Sequence, residues 1–576
     1  MRVASLVAVI LLVLPLLVGK FWAYQLGLYA LYAAGAVGLG LCWGQAGFLP
    51  LGQALFFGLA AYLSGFAFIR FDAHPLIAVV LMPVAAIAAG VLAFVIGVLI
   101  FRRRGGSEGA YFSMITLALS LLGFQIATSW NSVTGGFDGL KGIPGIPGLD
   151  DISDVYYVSA GALLVVLALG AWLYHAPIGV LWRALAQNER RLLLFGFDTN
   201  RLKAVAFGIS GLMAGVGGAI YAPQQGIVTP QLVGFGLSAD LVIWVAVGGR
   251  GALLGPVIGT LLVGSLSSQL RDRFAYWEVT MAIFFIVIVL AFPRGIAGLG
   301  APLARFLAAR KRAAKPIAAP ARAAIHETPR LAIEAASVAV GEVTLLDRLS
   351  LAFDRAGIFC VIGPNGAGKT SMFNLVTGEL DAAGGRVMLD EAEITGLAPH
   401  RVTRRGIARK LQIPSVFPDL AIADNLAIAL WSGRASALAL LDPRLRRWTS
   451  PMLAELRLRY PFLADAARPA AALSHGERQI LELAMALLTE PRILLLDEPC
   501  AGLSPDETAT VIDAIRWAVR QLSGAIVIII EHDMALVKEL AQTVYVLHNG
   551  ALLADGDVAA IQASAAVRAV YVGAEK

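Results

Sequence analysis

With 576 residues the chain is too long for one ordinary domain, and an apolar fraction of 58% with a mean hydropathy of +0.73 argues for a membrane portion rather than a wholly soluble protein. Lysine plus arginine exceed aspartate plus glutamate by 46 to 40. Much of that excess lies in short segments beside apolar runs, where it orients a membrane protein, so nucleic-acid binding is the weaker reading. Cys42, Cys360 and Cys500 are the only cysteines, and they supply neither a disulfide framework nor a metal-ligand spacing.

Up to about Leu299 the sequence is almost continuously apolar and rich in Gly, Ala and Leu. Val3 to Val18 follows a single Arg2 and has the character of a signal peptide, but no clear small-residue cleavage site follows and another apolar run begins near Tyr24. It reads as a retained first span. Further spans fit Tyr24 to Trp43, Leu51 to Ile69, Leu76 to Phe101, Ala110 to Thr128, Tyr156 to Tyr174 and Ala204 to Ala222. Three more fit near Ser238 to Val247, Ala252 to Ser268 and Tyr276 to Phe292. The Ser238 to Val247 stretch is too short for a crossing of roughly 20 residues unless it continues through Gly248 and Gly249, so it also reads as a broken or re-entrant helix. The expectation is a polytopic α-helical membrane domain over 1–300 with about ten spans, nine being the alternative.

Loop charge checks the count, because basic loops stay cytoplasmic. Arg102-Arg103-Arg104 belongs inside. Counting forward, the acidic loop with Asp138, Asp150, Asp151 and Asp154 falls outside, while Arg183, Arg190, Arg191, Arg201, Lys203 and finally Arg294 fall inside. The chain beyond residue 300 is thereby expected to be cytoplasmic.

Two features suggest transport. Glycine clusters at Gly35 to Gly40, Gly211 to Gly218 and Gly248-Gly249-Arg250-Gly251 allow either ordinary tight helix packing or unwinding around a cavity. The segment Arg183-Ala184-Leu185-Ala186-Gln187-Asn188-Glu189-Arg190-Arg191 is a polar helical stretch that could dock on a soluble partner or be a solvated loop. With the run Gly47-Phe48-Leu49-Pro50-Leu51-Gly52-Gln53-Ala54-Leu55-Phe56-Phe57-Gly58, Val245 to Gly251 and Phe292-Pro293-Arg294-Gly295, these stretches make residues 24–300 resemble a permease subunit of the branched-chain amino acid and urea importers, a family of ATP-binding-cassette transporters. The resemblance implies that the Arg183 to Arg191 segment couples the permease to its ATPase.

Residues 301–329 turn Ala/Pro/Arg-rich, with Arg305, Arg310, Lys311, Arg312 and Lys315. They read as a cytoplasmic linker, solvated or drawn to anionic membrane lipid. From 330 to 576, β-like and helical segments alternate, predicting an α/β P-loop ATPase domain. After the apolar run Ile358 to Ile362 comes Gly363-Pro364-Asn365-Gly366-Ala367-Gly368-Lys369-Thr370, with a helix-like segment from Ser371. Glycines let successive N–H groups face phosphate oxygens, Lys369 neutralises the terminal phosphates of ATP, and Thr370 holds Mg2+. Candidate cofactor contacts thus run from Gly363 through Ser371. The apolar strand Ile493 to Leu496 ends in Asp497, suited to the magnesium, and Glu498, suited to orienting an attacking water. Ile526 to Ile530 ends in Glu531-His532-Asp533, placing an imidazole within reach of a γ-phosphate.

Leu473-Ser474-His475-Gly476-Glu477, before a helix-like segment, resembles the cassette ATPase signature, and the match to that family covers residues 331–572. The resemblance implies that Ser474 and Gly476 bind the nucleotide of an opposing ATPase in a head-to-tail dimer. It also implies that Gln412 lies in the loop linking γ-phosphate and metal to the permease, and that Asp506 lies in a dimer-contact loop. His475 departs from the common glycine, and Val340 stands where an adenine-stacking aromatic is usual, with no Tyr, Phe or Trp between Leu331 and Ser350.

The resulting expectation is a fused permease and ATPase subunit in a bacterial inner membrane, importing branched-chain amino acids, urea or related small amides. Its implied partners are a second permease and a second ATPase, or a second copy of itself, and an extracytoplasmic solute-binding protein. The rivals are a urea-specific importer, an ATP-driven exporter, and a membrane ATPase that signals without transport.

Overall fold

The structure, a computed structural model, describes residues 13, 15, 17–102, 109–149, 151–271, 273, 275–300, 315–321, 328–522 and 524–572. Two compact units divide the chain. One comprises 1–186 with 199–314, the other 187–198 with 315–576.

The first unit is helical because an apolar chain must satisfy its backbone polar groups internally. Six helices are long and apolar enough to cross a membrane: Lys20–Gln45, Gln53–Arg70, Pro75–Phe101, Gly109–Ser129, Ser153–His175 and Thr199–Gln225. They coincide with six predicted spans to within a few residues. Three further helices sit at predicted positions but are shorter: Phe235–Gly248 has 14 residues, Gly255–Arg271 has 17 and Trp277–Ala291 has 15. At about 1.5 Å per residue the first covers only about 21 Å of a hydrocarbon layer about 30 Å thick. The expected Val3 to Val18 span lies largely outside the described residues. By length and composition, therefore, six helices among the described residues suffice for a crossing.

Glycine in this unit serves close packing. A Cβ at Gly218 would lie 1.9 Å from the Phe57 carbonyl oxygen, and one at Gly38 would lie 2.6 Å from that of Ser210. The buried Gln53 donates from Nε2 to the Ser210 carbonyl at 3.0 Å and accepts from Ser210 Oγ at 3.1 Å, so the polar groups at this crossing satisfy one another. The expected polar helix over 183–191 is broken. Helix Pro177–Gln187 stops and Asn188 caps a new five-residue helix, Glu189–Leu193, accepting from Arg191 N at 2.9 Å.

The second unit holds a six-stranded and a four-stranded sheet, besides a two-stranded parallel pair of Ile317–Ala318 with Trp448–Thr449. Six strands run in the order Ala551–Gly556, Thr543–His548, Gly357–Ile362, Ile526–Ile530, Ile493–Asp497 and Ile407–Lys410. All pairs are parallel except the first, whose edge strand is antiparallel. The central strands Gly357–Ile362, Ile493–Asp497 and Ile526–Ile530 are buried throughout, which explains their unbroken apolar runs. An antiparallel sheet of Val343–Phe353, Leu331–Val340, Gly384–Leu389 and Ala392–Glu393 packs into the same apolar core. Register aligns the carboxyl ends: Asp497 pairs with Ile530, Ile530 with Val361, and Leu496 with Lys410. The loops after all four strands therefore leave from one edge, where open α/β sheets bind ligands.

Candidate functional site

The glycine-rich loop leaves strand Gly357–Ile362 and enters helix Lys369–Val376. Gly366 and Gly368 take φ of +81° and +96°, left-handed values that favour glycine. A Cβ at Gly363 would also sit 2.2 Å from the Leu547 carbonyl oxygen. Lys369 folds back into the loop, donating from Nζ to the Gly363 and Pro364 carbonyls at 2.7 and 3.0 Å. Burial pushes its ammonium below the ordinary lysine value, while Glu498 and Asp497 oppose that shift. Asn365, Gly366 and Thr370 are exposed on the rim, Pro364, Gly368 and Ser371 are half-buried, and Ala367 packs inward.

At the ends of the neighbouring strands the predicted residues converge. Gln412 Nε2 donates to Glu498 Oε2 at 2.7 Å, and His532 Nδ1 lies 3.8 Å from Glu498 Oε1. Glu498 has φ of +42°, unusual for a residue with a side chain, and its amide donates to the Ile530 carbonyl at 3.0 Å. Asp497 is buried and accepts from Arg409 Nη2 at 2.8 Å.

Ser474 and Gly476 stand apart from the glycine-rich loop in their hydrogen bonding. Ser474 caps helix His475–Leu488, accepting from Glu477 N at 3.1 Å while Glu477 accepts from Ser474 N at 2.9 Å. Burial works against ionising Glu477, but the Ser474 amide and Arg468 outweigh it and lower its pKa. A Cβ at Gly476 would meet Glu507 Oε1 at 2.6 Å, so a larger residue there would have to push that carboxylate aside. Asp506 is exposed in the first turn of that helix. A cleft of about 390 Å³ runs between Gln412, Ile413, Pro414, His475, Ala501 and Gly502. Val340 is 56% exposed where strand Leu331–Val340 turns into the next, so the surface named for adenine carries an aliphatic side chain.

An ionic cluster beneath this site escaped sequence reasoning. Arg409 donates from Nη1 to Asn374 Oδ1 at 2.6 Å and to Glu379 Oε2 at 2.8 Å, besides holding Asp497. Its own carbonyl accepts from Arg191 Nη1 at 2.7 Å. Arg191, 1% exposed, also lies 3.2 Å from Glu482 and 4.4 Å above the Phe195 ring, while its neighbour Arg190 pairs with Glu379. Lys410 Nζ is 4.0 Å from the other Glu482 oxygen. Burial lowers the pKa of both Arg191 and Lys410, and Glu482 opposes the shift in each. Gln187 and Asn188 complete the seat of this segment, Gln187 accepting from Asp419 N at 2.8 Å and Asn188 donating to Ser415 Oγ at 2.9 Å. The one available signal was Arg409-Lys410: two successive cations in a short strand that begins with Ile407-Ala408, where one at least must point inward.

Among the described residues no group of three or more His, Cys, Asp or Glu forms a self-contained metal site. Thr370, Gln412 and Asp497 offer hard oxygen donors, which suit magnesium when phosphates and water supply the remaining ligands.

A family profile for the permease component of branched-chain amino acid transport systems matches residues 21–292, and one for ABC transporters matches residues 346–501. The high-affinity branched-chain amino acid transport ATP-binding protein LivG of Salmonella typhimurium is 35% identical over 252 residues, covering 42% of this chain and 98% of LivG. BraF of Pseudomonas aeruginosa, which bears the same description, is 34% identical over 255 residues, with coverages of 42% and 98%. A crystal structure of a nucleotide-free ATP-binding cassette aligns over 42% of this chain and 98% of its own, at 25% identity and a TM-score of 0.37. The chain belongs to the ABC transporter family and joins, in one polypeptide, a permease component of the branched-chain amino acid transport type and an ABC ATP-binding domain.

Proposed function

We propose that this protein is half of a bacterial inner-membrane importer that uses ATP hydrolysis to carry branched-chain amino acids into the cell. The observation carrying this reading is the convergence of Lys369, Asp497, Glu498, Gln412 and His532 at one sheet edge, in a chain that also contains a permease. The names of LivG and BraF support the substrate class. The loop charges set the ATPase on the cytoplasmic side.

In this reading the glycine-rich loop from Gly363 to Ser371 wraps the phosphates of ATP, and Lys369 exchanges its loop carbonyls for phosphate oxygens. Thr370, Gln412 and Asp497 would hold magnesium, which would supply charge neutralisation at the phosphates. Glu498 accepts a hydrogen bond from the attacking water and orients it, after Gln412 turns from Glu498 toward the nucleotide. His532 donates to the γ-phosphate. Ser474 and Gly476 serve the nucleotide of an opposing ATPase, supplied by a second copy or a partner subunit. A second permease and an extracytoplasmic binding protein complete the importer.

Replacing Glu498 by Gln is expected to slow hydrolysis about a hundredfold or more, the usual scale for losing a positioned base, while leaving ATP binding nearly intact. Normal turnover in that variant refutes the assignment. Uptake of labelled leucine, and separately of labelled urea, by cells with and without the gene tests the substrate: a loss confined to urea overturns the amino-acid reading.

A further inference from the structure

Arg409, on strand Ile407–Lys410, is 3% exposed, and its guanidinium grips two neighbouring elements at once. Nη2 donates to Asp497 Oδ2 at 2.8 Å, at the end of strand Ile493–Asp497. Nη1 donates to Asn374 Oδ1 at 2.6 Å, on the helix Lys369–Val376, and to Glu379 Oε2 at 2.8 Å, just past that helix. The Phe373 ring centroid lies 5.5 Å from the guanidinium carbon. A planar cation bonded at both ends and laid against a ring has little freedom to turn.

The two ends of this grip belong to two sides of one site. Asn374 stands four residues beyond Thr370 and so shares its face of the helix. Asp497 is 2% exposed, and Arg409 takes its Oδ2, which leaves Oδ1 as the oxygen to face a metal. Thr370 and Asp497 are two of the residues assigned above to magnesium, one from each side. Arg409 has no lone pair to offer and is not itself a ligand. Its effect is on the gap between the two elements that carry the ligands. Glu379 is steadied in turn, Thr377 Oγ1 donating to its Oε2 at 3.2 Å and Arg190 pairing with its Oε1.

We infer that Arg409 is a positioning residue for hydrolysis: it braces Asn374 against Asp497 and so fixes the gap between Thr370 and Asp497 in which magnesium would sit. The inference rests on the ATPase reading above and adds to it a residue that touches neither nucleotide nor metal. Removing a group that orients a metal ligand costs about 10–100-fold in metal affinity or activity. Lysine keeps the charge, but one ammonium on a flexible stem does not hold two elements as a planar fork does.

The test uses the purified full chain in lipid nanodiscs, with a fluorescent ATP analogue titrated first in EDTA and then in magnesium, beside the magnesium dependence of hydrolysis. Arg409→Lys is expected to bind the analogue in EDTA within about threefold of the wild type, to lose most of the tightening that magnesium brings, and to need at least about tenfold more magnesium for half-maximal hydrolysis. Asn374→Ala cuts the brace at its other end while Asp497 stays paired, and it should move the same two quantities in the same direction by a smaller factor. If Arg409→Lys does not fold, Asn374→Ala decides. Wild-type magnesium dependence in the folded variants overturns the inference. So does a loss of analogue binding that is equal with and without magnesium, since that is the mark of a merely structural role. A wild type that hydrolyses no ATP, or that gains nothing from magnesium, overturns instead the ATPase reading on which the inference rests.

Discussion

Arg191→Ala removes the only arginine, among the described residues, that reaches both Glu482 and the strand carrying Arg409. In the native unit Glu482 is 0% exposed and Arg191 lies 3.2 Å from it, with Lys410 the next cation at 4.0 Å. Deleting one partner of a buried ion pair costs about 3–5 kcal/mol, because the remaining charge is neither solvated nor paired. Loss of the donor to the Arg409 carbonyl belongs within that range. Converted at about 1.4 kcal/mol per tenfold, the local opening equilibrium of residues 188–195 rises by about a hundredfold to a few thousandfold. Hydrogen exchange on the full chain should read this as faster exchange of those amides, with the Ile493–Asp497 strand little changed. Arg191→Lys keeps the charge but not the two-sided contact and should fall between. Because Arg409 also holds Asp497 at 2.8 Å, the Ala variant should raise the magnesium concentration needed for half-maximal hydrolysis more than the ATP concentration. Wild-type exchange at 188–195 in Arg191→Ala would refute the energetic reasoning.

Other consequences are equally open to measurement. Val340→Tyr places a ring on the exposed end of strand Leu331–Val340, and a base–aromatic stack is worth about 1–3 kcal/mol, so ATP affinity should tighten by at least about fivefold in a nucleotide-binding titration. Burial raises the pKa of Glu531 above 4.5, with the positive charge of His532 and the His532 and Cys500 backbone amides opposing it. An acid with a raised folded pKa destabilises the fold only when ionised: the penalty is absent below 4.5 and grows as pH rises through the folded value. Glu531→Gln should therefore match the wild type in thermal midpoint near the low end of that window and exceed it at alkaline pH. Gly218→Leu, where even a Cβ would lie 1.9 Å from the Phe57 carbonyl oxygen, should abolish accumulation of folded protein in the membrane, as read by detergent gel filtration.

Much of this was written in contiguous residues. The glycine-rich loop, Asp497-Glu498 and Glu531-His532 each state their chemistry over a few positions, and register alone brings them together. Long apolar helices such as Pro75–Phe101 announce themselves because a membrane leaves their sequence little choice. The helix Phe235–Gly248 resisted, since apolar character does not tell a short helix from a crossing. The ionic cluster resisted for another reason: Arg191 and Arg409 are 218 residues apart, and each reads locally as a surface charge. Only the fold reveals that both are buried.

The twelve-residue clasp, 187–198, belongs in space to the ATP-binding unit, yet in sequence it lies between permease helices. A ribosome therefore releases it more than two hundred residues before Arg409, and later still Glu482, exist to receive it. Until then Arg190 and Arg191 must wait in water, and the growing chain passes through a stage in which the preceding helices are made but this segment is unseated. Completion of the second unit is thus a long-range closure rather than the independent folding of a C-terminal domain, and closures of that kind are slow. A polypeptide begun at residue 315 would lack the clasp altogether, leaving Glu482 with Lys410 as its remaining cation. Such a fragment would differ from the native unit in its interior as well as in its length.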